Sequence, residues 1–245
     1  MEVHHHAHTE RKKWTHYLWE FVMLFLAVTL GFFVENMREH YIESQREKEY
    51  ISSFIEDLKA DTLSASDWIN TLEERKIMMD SLIYLLSHYG INTSGNDIYY
   101  YARFATRSNF FRPNDRTITQ LKNSGGLRLI HNQQSSDSIM SYQQVLGGME
   151  INRDVEQTET EFLYPYLSKL FDPVVFETMV DESGQIKRPV NNPPLRTKDH
   201  LQIKEFVFYI HQKKTSYIFA IDFLRTLQVK ASNIIKFFQQ EYSLK

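Results

Sequence analysis

The sequence predicts an all-α protein, with a single N-terminal transmembrane helix followed by an antiparallel bundle of long helices. Residues 17–34 read YLWEFVMLFLAVTLGFFV and are almost wholly apolar. The 245 residues include only eight Gly and six Pro, so the chain is poor in loop formers. Beyond the apolar segment, apolar residues recur at spacings of three and four, which is typical of amphipathic helices. These observations indicate one helical domain behind a membrane anchor.

The apolar segment would span about 27 Å as a helix, close to the ~30 Å of a bilayer core. A cleavable secretory signal would end in an A-x-A-like site, which the residues from Phe32 to Met37 lack. A soluble core helix would carry a polar stripe, but between Phe21 and Val34 the only polar side chain is Thr29. We therefore divide the chain into a His-rich tail at 1–16, a transmembrane anchor at 17–35 and a helical domain at 36–245.

The orientation of the anchor follows less directly from its flanks. Basic residues lie on both sides, at Arg11, Lys12 and Lys13 before the segment and at Arg38, Arg46 and Lys48 after it. The positive-inside count is therefore balanced. A short N-terminal tail is easily kept in the cytoplasm, which favours a single-pass protein of the inner membrane with a periplasmic domain. The absence of cysteine fits that compartment.

Three residues of the anchor are candidates for a membrane role. Glu20 lies inside the apolar segment, where a carboxylate can relay protons or ions. It is also one turn from the end, so its side chain can reach the interface beside Tyr17 and Trp19 instead. Ala27 and Gly31 form a small-xxx-small pair that would allow two anchors to approach closely.

The domain divides into helices that are separated by turn residues. One long amphipathic helix, continuous with the anchor, is expected to end near Tyr89 and Gly90. A second helix is expected from Asn96 or Asp97 to about Asn109, and a short third one from Arg116 to Asn123, capped by Asn114 or Asp115 and stopped by Gly125 and Gly126. The remaining predictions are a helix at 133–171 interrupted at Gly147–Gly148 and at Pro165, a minor hairpin near 174–190, and a last helix from Asp199 to Tyr242.

Charge alternates in blocks along the domain. Residues 38–92 carry a net charge of −5, residues 93–131 of +4, residues 132–184 of −8 and residues 185–245 of +7. Successive helices of opposite sign suit an antiparallel bundle in which neighbours attract. The chain is acidic overall and its basic blocks are scattered, so nucleic acid is not an expected partner.

A histidine cluster precedes the anchor, at His4, His5, His6 and His8. Clustered imidazoles can bind zinc, nickel or copper. The cluster lacks a six-histidine run, and a terminal tail is a poor structural metal site. Both a physiological metal site and opportunistic metal binding therefore stay open.

The segment 109–130 reads NFFRPNDRTITQLKNSGGLRLI and is rich in arginine. Arg112, Arg116 and Arg128 lie within it, and Arg103 and Arg107 shortly before it. One interpretation is an anion or phosphate pocket built from these guanidinium groups and a helix N-terminus near Asp115. The other is that the arginines pair with the acidic helices before and after them.

Enzyme signatures are missing from the sequence. It contains no cysteine nucleophile, G-x-S-x-G, Walker loop, H-E-x-x-H or dinucleotide fingerprint. In the helical domain at 36–245, carboxylates such as Glu156, Glu159 and Glu161 do not pair with a histidine at the Glu-x-x-His spacing of di-iron bundles. We therefore expect a protein without catalytic activity and without a cofactor.

The opening MEVHHHAHTERKKWTHYLWEFVMLFLAVTLGFFVENMREH, then REKEYISSFIEDLKAD and TITQLKNSGGLRLI, together resemble a known family. This is the group of uncharacterised single-pass membrane proteins of Bacteroidetes defined by domain of unknown function 6090. The most specific part is Thr117 to Ile130, which follows a T-x-x-x-L-x-x-S-G-x-L-x-L-I pattern. The resemblance implies a membrane-tethered helical domain and brings no catalytic residues.

Three functions are compatible with these features. The first is a membrane-anchored interaction or sensory module that self-associates or binds another membrane protein, with the lipid bilayer as its first partner. The second is a subunit of a channel, transporter or motor complex in which Glu20 faces other membrane helices. The third is a domain that binds an anionic ligand at the arginines.

Overall fold

A computed structural model of the chain describes residues 14–90, 92–107 and 110–244. The chain divides into two compact units, residues 1–49 and residues 50–245. Helix α1, Trp14–Ser87, is a single helix of 74 residues. The prediction of one long helix that includes the anchor and ends near Tyr89 is confirmed.

Six α-helices occur in the described residues, which contain no strand. After α1 they are α2 (Gly95–Ala105), α3 (Arg116–Asn123), α4 (Gln133–Leu170), α5 (Pro173–Thr178) and α6 (His200–Glu241), with a 3-10 helix at Gly126–Leu129 between α3 and α4. The predicted bounds of α3 are confirmed, and those of α6 agree to within a residue. Helix α2 ends four residues before Asn109, with Thr106 as its C-cap.

Local side-chain caps explain where four of these helices begin. Ser94, Asn132, Asp172 and Asp199 each accept a hydrogen bond from a backbone N–H of the first turn that follows. Such caps satisfy donors that have no partner within the helix. Helix α3 is different, because Asp115 occupies the N-cap position without a side-chain hydrogen bond.

Within residues 50–245, α6 runs antiparallel to both α1 and α4. Against α1, Gln228 of α6 donates to the Thr62 carbonyl, and Lys214 pairs with Asp80. Against α4, the rings of Tyr209 and Phe162 stack with centroids 5.9 Å apart. The antiparallel bundle predicted from the sequence is therefore confirmed, with α6 as the shared partner.

The core lies along the seam that the helical spacing predicts in α1. Phe54 packs against Tyr142 of α4 and Phe238 of α6, with ring centroids 5.9 and 6.1 Å apart. Further buried side chains of the seam continue the three-and-four spacing: Ile51, Ile55, Leu58, Ala65, Leu72, Met79, Leu82 and Leu86. The apolar face of α1 from Ile51 to Leu86 thus packs within the chain.

The charge blocks also meet as expected. Acidic α1 pairs with basic α6 through Glu73 and Arg225, at 3.2 Å. Acidic α4 pairs with α6 through Glu156 and Lys213, at 2.9 Å. The Glu73–Arg225 pair is exposed, and such a pair contributes less than about 1 kcal/mol, whereas the Glu156–Lys213 pair is buried.

Two predictions about irregular structure differ from the structure. The sequence predicts a kink or a short break at Gly147–Gly148 and at Pro165, but helix α4 continues through all three residues without a break. An ideal Cβ at Gly148 would lie 3.1 Å from the Phe223 ring, so the glycine lets α4 pack closely on α6. Tertiary packing of this kind outweighs the weak helix propensity of glycine.

The hairpin predicted near 174–190 is reduced to one bridge between Val180 and Ile186. Residues 173–178 form α5 instead. Asp172 accepts from the Val174 N–H at 2.9 Å, and Pro173 stands in the first turn. A cap followed by proline favours the start of a helix over a strand.

The segment 191–196 docks on the N-terminus of α2. Asn192 Oδ1 accepts from the Gly95 N–H at 2.6 Å, and an ideal Cβ at Gly95 would lie 1.9 Å from the Pro193 carbonyl oxygen. The contact therefore requires glycine. The segment then returns to α4, where the Arg196 N–H donates to the Leu170 carbonyl at 2.9 Å.

Candidate functional site

The apolar stretch of α1 is exposed to solvent along its length. Helix α1 contains an 18-residue window with a mean hydropathy of 2.0, none of which is buried. By length and composition this helix could cross a membrane. Exposed aromatic side chains flank the stretch, with Trp14, Tyr17 and Trp19 at one end and Tyr41 at the other. Tryptophan and tyrosine are enriched at both interfaces of membrane proteins.

The predicted membrane residues lie on this exposed surface. Glu20 lies against His16 one turn earlier, with His16 Nε2 and Glu20 Oε1 3.0 Å apart. Ala27 and Gly31 are both exposed, and an ideal Cβ at Gly31 would meet nothing within 4 Å. The side of the helix that carries Ala27 and Gly31 is therefore open to another helix.

The five predicted arginines do not converge on one pocket. Arg103 and Arg112 line two separate cavities. Arg116 pairs with Asp57 of α1 at 3.0 Å. Arg107 follows the end of α2, and Arg128 is exposed in the 3-10 helix.

The N-terminus of α3 is occupied by carboxylates of α1. Asp57 Oδ2 accepts from the Thr117 N–H at 2.9 Å, and Asp61 Oδ1 accepts from the Asn114 N–H at 2.7 Å. The Tyr142 hydroxyl donates to the other oxygen of Asp61 at 2.6 Å. Burial raises the pKa of Asp61, while these hydrogen bonds act in the opposite direction. The helix terminus that was a candidate for phosphate is thus filled by the protein's own side chain.

A cavity of about 450 Å³ lies between α1, α4, α6 and the segment 110–115. Its apolar wall contains four aromatic side chains, Trp68, Phe110, Phe111 and Phe223. Charged side chains of both signs also line it: Arg112, Asp115, Glu150, Arg153 and Glu156. This size and mixture are typical of sites for small molecules.

A buried ion pair between α4 and α6 lies beside this cavity. Lys213 is fully buried, and its Nζ donates to Glu156 Oε1 at 2.9 Å and to Thr160 Oγ1 at 2.5 Å. It also donates to the Glu156 carbonyl at 3.2 Å. Burial lowers the pKa of Lys213, and the Glu156 carboxylate opposes that effect. The pair holds Glu156 in place at the wall of the cavity.

A second carboxyl group lies near the ion pair. Burial raises the pKa of Glu159, whereas a hydrogen bond from Ser216 and the charge of Lys213 lower it. One carboxyl oxygen of Glu159 is buried without a hydrogen-bond partner. Burial therefore disfavours the charged form of Glu159.

Metal ligands do not cluster in the described part of the chain, where no group of three or more His, Asp or Glu residues could hold an ion. The histidines predicted to bind metal, at 4, 5, 6 and 8, lie outside the described residues.

The sequence did not predict the 450 Å³ cavity. It also did not predict that Asp57 and Asp61 bind the backbone at Thr117 and Asn114. Asp57 and Asp61 are four residues apart on α1, and that spacing places them on one face. This was an available signal, but their partners are more than fifty positions away in sequence.

In comparisons with known proteins, no family model, no curated protein and no solved structure matches this chain.

Proposed function

We propose that this protein is a single-pass membrane protein whose helical domain serves interaction or sensing and has no catalytic activity. The observation that supports this proposal is the exposed apolar surface of α1. Monomeric soluble proteins rarely expose contiguous apolar patches larger than a few hundred Å². A lipid bilayer covers such a surface, and a helix satisfies its own backbone hydrogen bonds inside lipid.

The proposed location is the inner membrane, with the N-terminus in the cytoplasm and the domain in the periplasm. From Tyr17 to Tyr41 the helix rises about 36 Å, enough for an aromatic residue near each interface of a bilayer. The flanking charges do not decide the orientation, so it needs a direct test.

The chain has no cysteine, so substituted cysteines report orientation without background. We would place one at Thr9, before the anchor, and another at Glu182, which is exposed in the turn after α5. A membrane-impermeant maleimide added to cells with a permeabilised outer membrane should label Glu182→Cys only. Labelling of Thr9→Cys alone would reverse the orientation, and equal labelling of both in intact spheroplasts would contradict a single span.

A second test concerns the anchor itself. Replacing Phe25 and Leu26 by arginine costs about 2.5–3.5 kcal/mol for each residue at the centre of a membrane helix. The double variant should leave the membrane pellet after alkaline carbonate extraction. The matched control replaces Leu63 and Ile77, which are exposed on α1 within residues 50–245, and should stay in the pellet. Wild-type protein in the carbonate supernatant would refute the anchor.

The interaction part of the proposal concerns self-association through Ala27 and Gly31. Replacing both by isoleucine would prevent close approach of two helices. Crosslinking in native membranes should then lose the dimer band, whereas isoleucine at Val28 and Leu30 should retain it. Equal crosslinking of both variants would exclude this pair as the contact.

The sensing part concerns the 450 Å³ cavity between α1, α4 and α6. A ligand bound there would contact three helices of the bundle at once, and would stabilise the folded state increasingly as its concentration rises above its Kd. A screen of small aromatic compounds by thermal unfolding, repeated with Phe223→Ala, tests this. Stabilisation that survives the substitution unchanged would place binding elsewhere.

A second candidate function is a subunit of a membrane complex that moves ions or protons. It is favoured by the position of Glu20 beside His16 near the start of the apolar stretch. Loss of flux in Glu20→Gln, with the complex still assembled, would support it. Unchanged flux would leave Glu20 as an interfacial residue.

The resemblance to the Bacteroidetes family implies a membrane-tethered helical domain, and we retain this resemblance as part of the proposal.

A further inference from the structure

A second cavity, of about 280 Å³, lies between the C-terminal ends of α2 and α4 and contains two guanidinium groups. Arg103 reaches it from the last turn of α2, and Arg196 from the segment before α6. No carboxylate is among the described residues that line it. The cavity therefore combines two positive charges with no negative one.

Within residues 14–90, 92–107 and 110–244, no carboxylate pairs with Arg103. Its Nε is buried without a hydrogen-bond partner. Burial lowers the pKa of Arg103 and the nearby Arg107 acts in the same direction, while Tyr164 opposes them. The Arg103 guanidinium also lies over the Phe176 ring, 5.5 Å from its centroid. A buried donor without a partner is costly, and a carboxylate in the cavity would supply the negative charge that the described lining residues do not provide.

Arg196 is fixed at the same cavity by two contacts. Its Nη1 donates to the Ser168 carbonyl at 2.9 Å, and its backbone N–H donates to the Leu170 carbonyl at 2.9 Å. The guanidinium is therefore ordered before any ligand binds, which lowers the entropic cost of binding. Five donors are available on each guanidinium, so one bond to a carbonyl leaves others for a ligand.

Part of the cavity lining is an apolar wall. The rings of Phe171 and Phe176 stack with centroids 5.4 Å apart, and Leu167 and Pro173 extend this wall. A ligand would therefore present an apolar body to this wall and its anionic group to the arginines. The cavity holds the volume of about nine water molecules, which suits an acid of about ten non-hydrogen atoms.

We propose that this cavity binds a small organic carboxylate with an aromatic or aliphatic body, through Arg103 and Arg196. Guanidinium groups bind carboxylates by pairs of parallel hydrogen bonds, which give both strength and orientation. The site uses one of the five arginines singled out in the sequence and adds Arg196. It goes beyond membrane anchoring and does not depend on it.

The competing explanation is structural. Both arginines lie near helix C-termini, where cations interact favourably with the helix dipole and the last carbonyls. In that case the substitution of either arginine would lower stability but would not change the binding of any carboxylate. The experiment therefore has to measure binding and stability separately.

The test is calorimetric titration of the full-length protein in mild detergent with 3-phenylpropanoate, and with 3-phenylpropanamide as the neutral control of the same size. We expect saturable binding of the acid in the millimolar range or tighter, and at least tenfold weaker binding of the amide. Equal binding of acid and amide, or no binding of the acid, would overturn the proposal without any variant. Binding of phenyl phosphate with no binding of the acid would overturn the carboxylate assignment.

Variants then locate the site. Arg103→Gln and Arg196→Gln should each weaken binding of the acid by about tenfold or more, as expected for the loss of a charged hydrogen-bond donor. The matched control is Arg128→Gln, because Arg128 is exposed and outside the cavity. Thermal unfolding of each variant confirms that it folds. Unchanged affinity in both cavity variants would overturn the assignment of this cavity.

Discussion

Removal of the Lys213 side-chain charge by Lys213→Met should strongly destabilise the bundle. The substitution keeps an unbranched side chain, one atom shorter, but removes the hydrogen bonds that Nζ donates to Glu156 and Thr160. Glu156, which is 3% exposed, is then left as a buried carboxylate without its cation. Breaking a buried pair in this way costs about 3–5 kcal/mol. Domains are stable by only about 5–15 kcal/mol, so this is a large fraction.

The measurements are urea unfolding and thermal unfolding, both followed by far-ultraviolet circular dichroism. Urea unfolding gives the change in free energy. In thermal unfolding, at about 2–4 °C per kcal/mol for a domain of this size, the midpoint should fall by about 6–20 °C. The neighbouring Lys214 supplies a matched control, because its pair with Asp80 is more exposed. Lys214→Met should cost less than about 1 kcal/mol.

A double variant tests the physical reason. Replacing Glu156 and Lys213 together by methionine removes both charges, so no buried ion is left unpaired. Such replacements are often neutral or stabilising by about 1–4 kcal/mol. We therefore expect the double variant to be more stable than either single variant. A cost below 1 kcal/mol for Lys213→Met, or a double variant as unstable as the sum of the two, would refute this reasoning.

Three further predictions test other parts of the fold. Gly95→Ala should destabilise the domain by about 2 kcal/mol or more, because the added Cβ would clash with the backbone at Pro193. Gly147→Ala should stabilise it by about 0.5–1 kcal/mol, because the space around Gly147 is open. The urea midpoints of the two variants test this difference. Asp57→Ala should cost about 1–3 kcal/mol through loss of the α3 cap, and unchanged amide-exchange protection of Thr117 would contradict it. Burial raises the pKa of Glu159, so the stability it contributes is present in acid and lost as the pH rises through its folded pKa. Glu159→Gln should therefore gain stability relative to wild type between pH 4 and pH 7, and parallel pH profiles would contradict this.

The bundle was predictable because its helices follow local rules. The three-and-four spacing from Ile51 to Leu86 identified the buried seam of α1, and Asp199 marked the start of α6. Predictions from turn residues were wrong where packing between distant residues decides the structure. Gly148 stays helical because α4 packs on Phe223, which no local pattern in the sequence indicates.

The candidate sites were predictable only in part. The arginines of the segment 109–130 were identified by composition, but their distribution depends on contacts between distant positions. Arg116 pairs with Asp57, fifty-nine residues earlier. Arg103 faces the same cavity as Arg196, which the sequence did not single out. Spacing along one helix indicates which residues share a face but not what that face meets.

The shared position of α6 between α1 and α4 affects the order in which the core can form during synthesis. The ribosome synthesises the chain from its N-terminus, so the apolar seam of α1 is made long before α6, which covers it. At about 5–20 residues per second, the synthesis of the 154 residues from Ser87 to Glu241 takes about 8–31 s. Throughout that interval the seam lacks its main cover, and a chain truncated before His200 never acquires it. Nascent and truncated chains of this protein should therefore depend on chaperones, or be degraded, far more than the finished one.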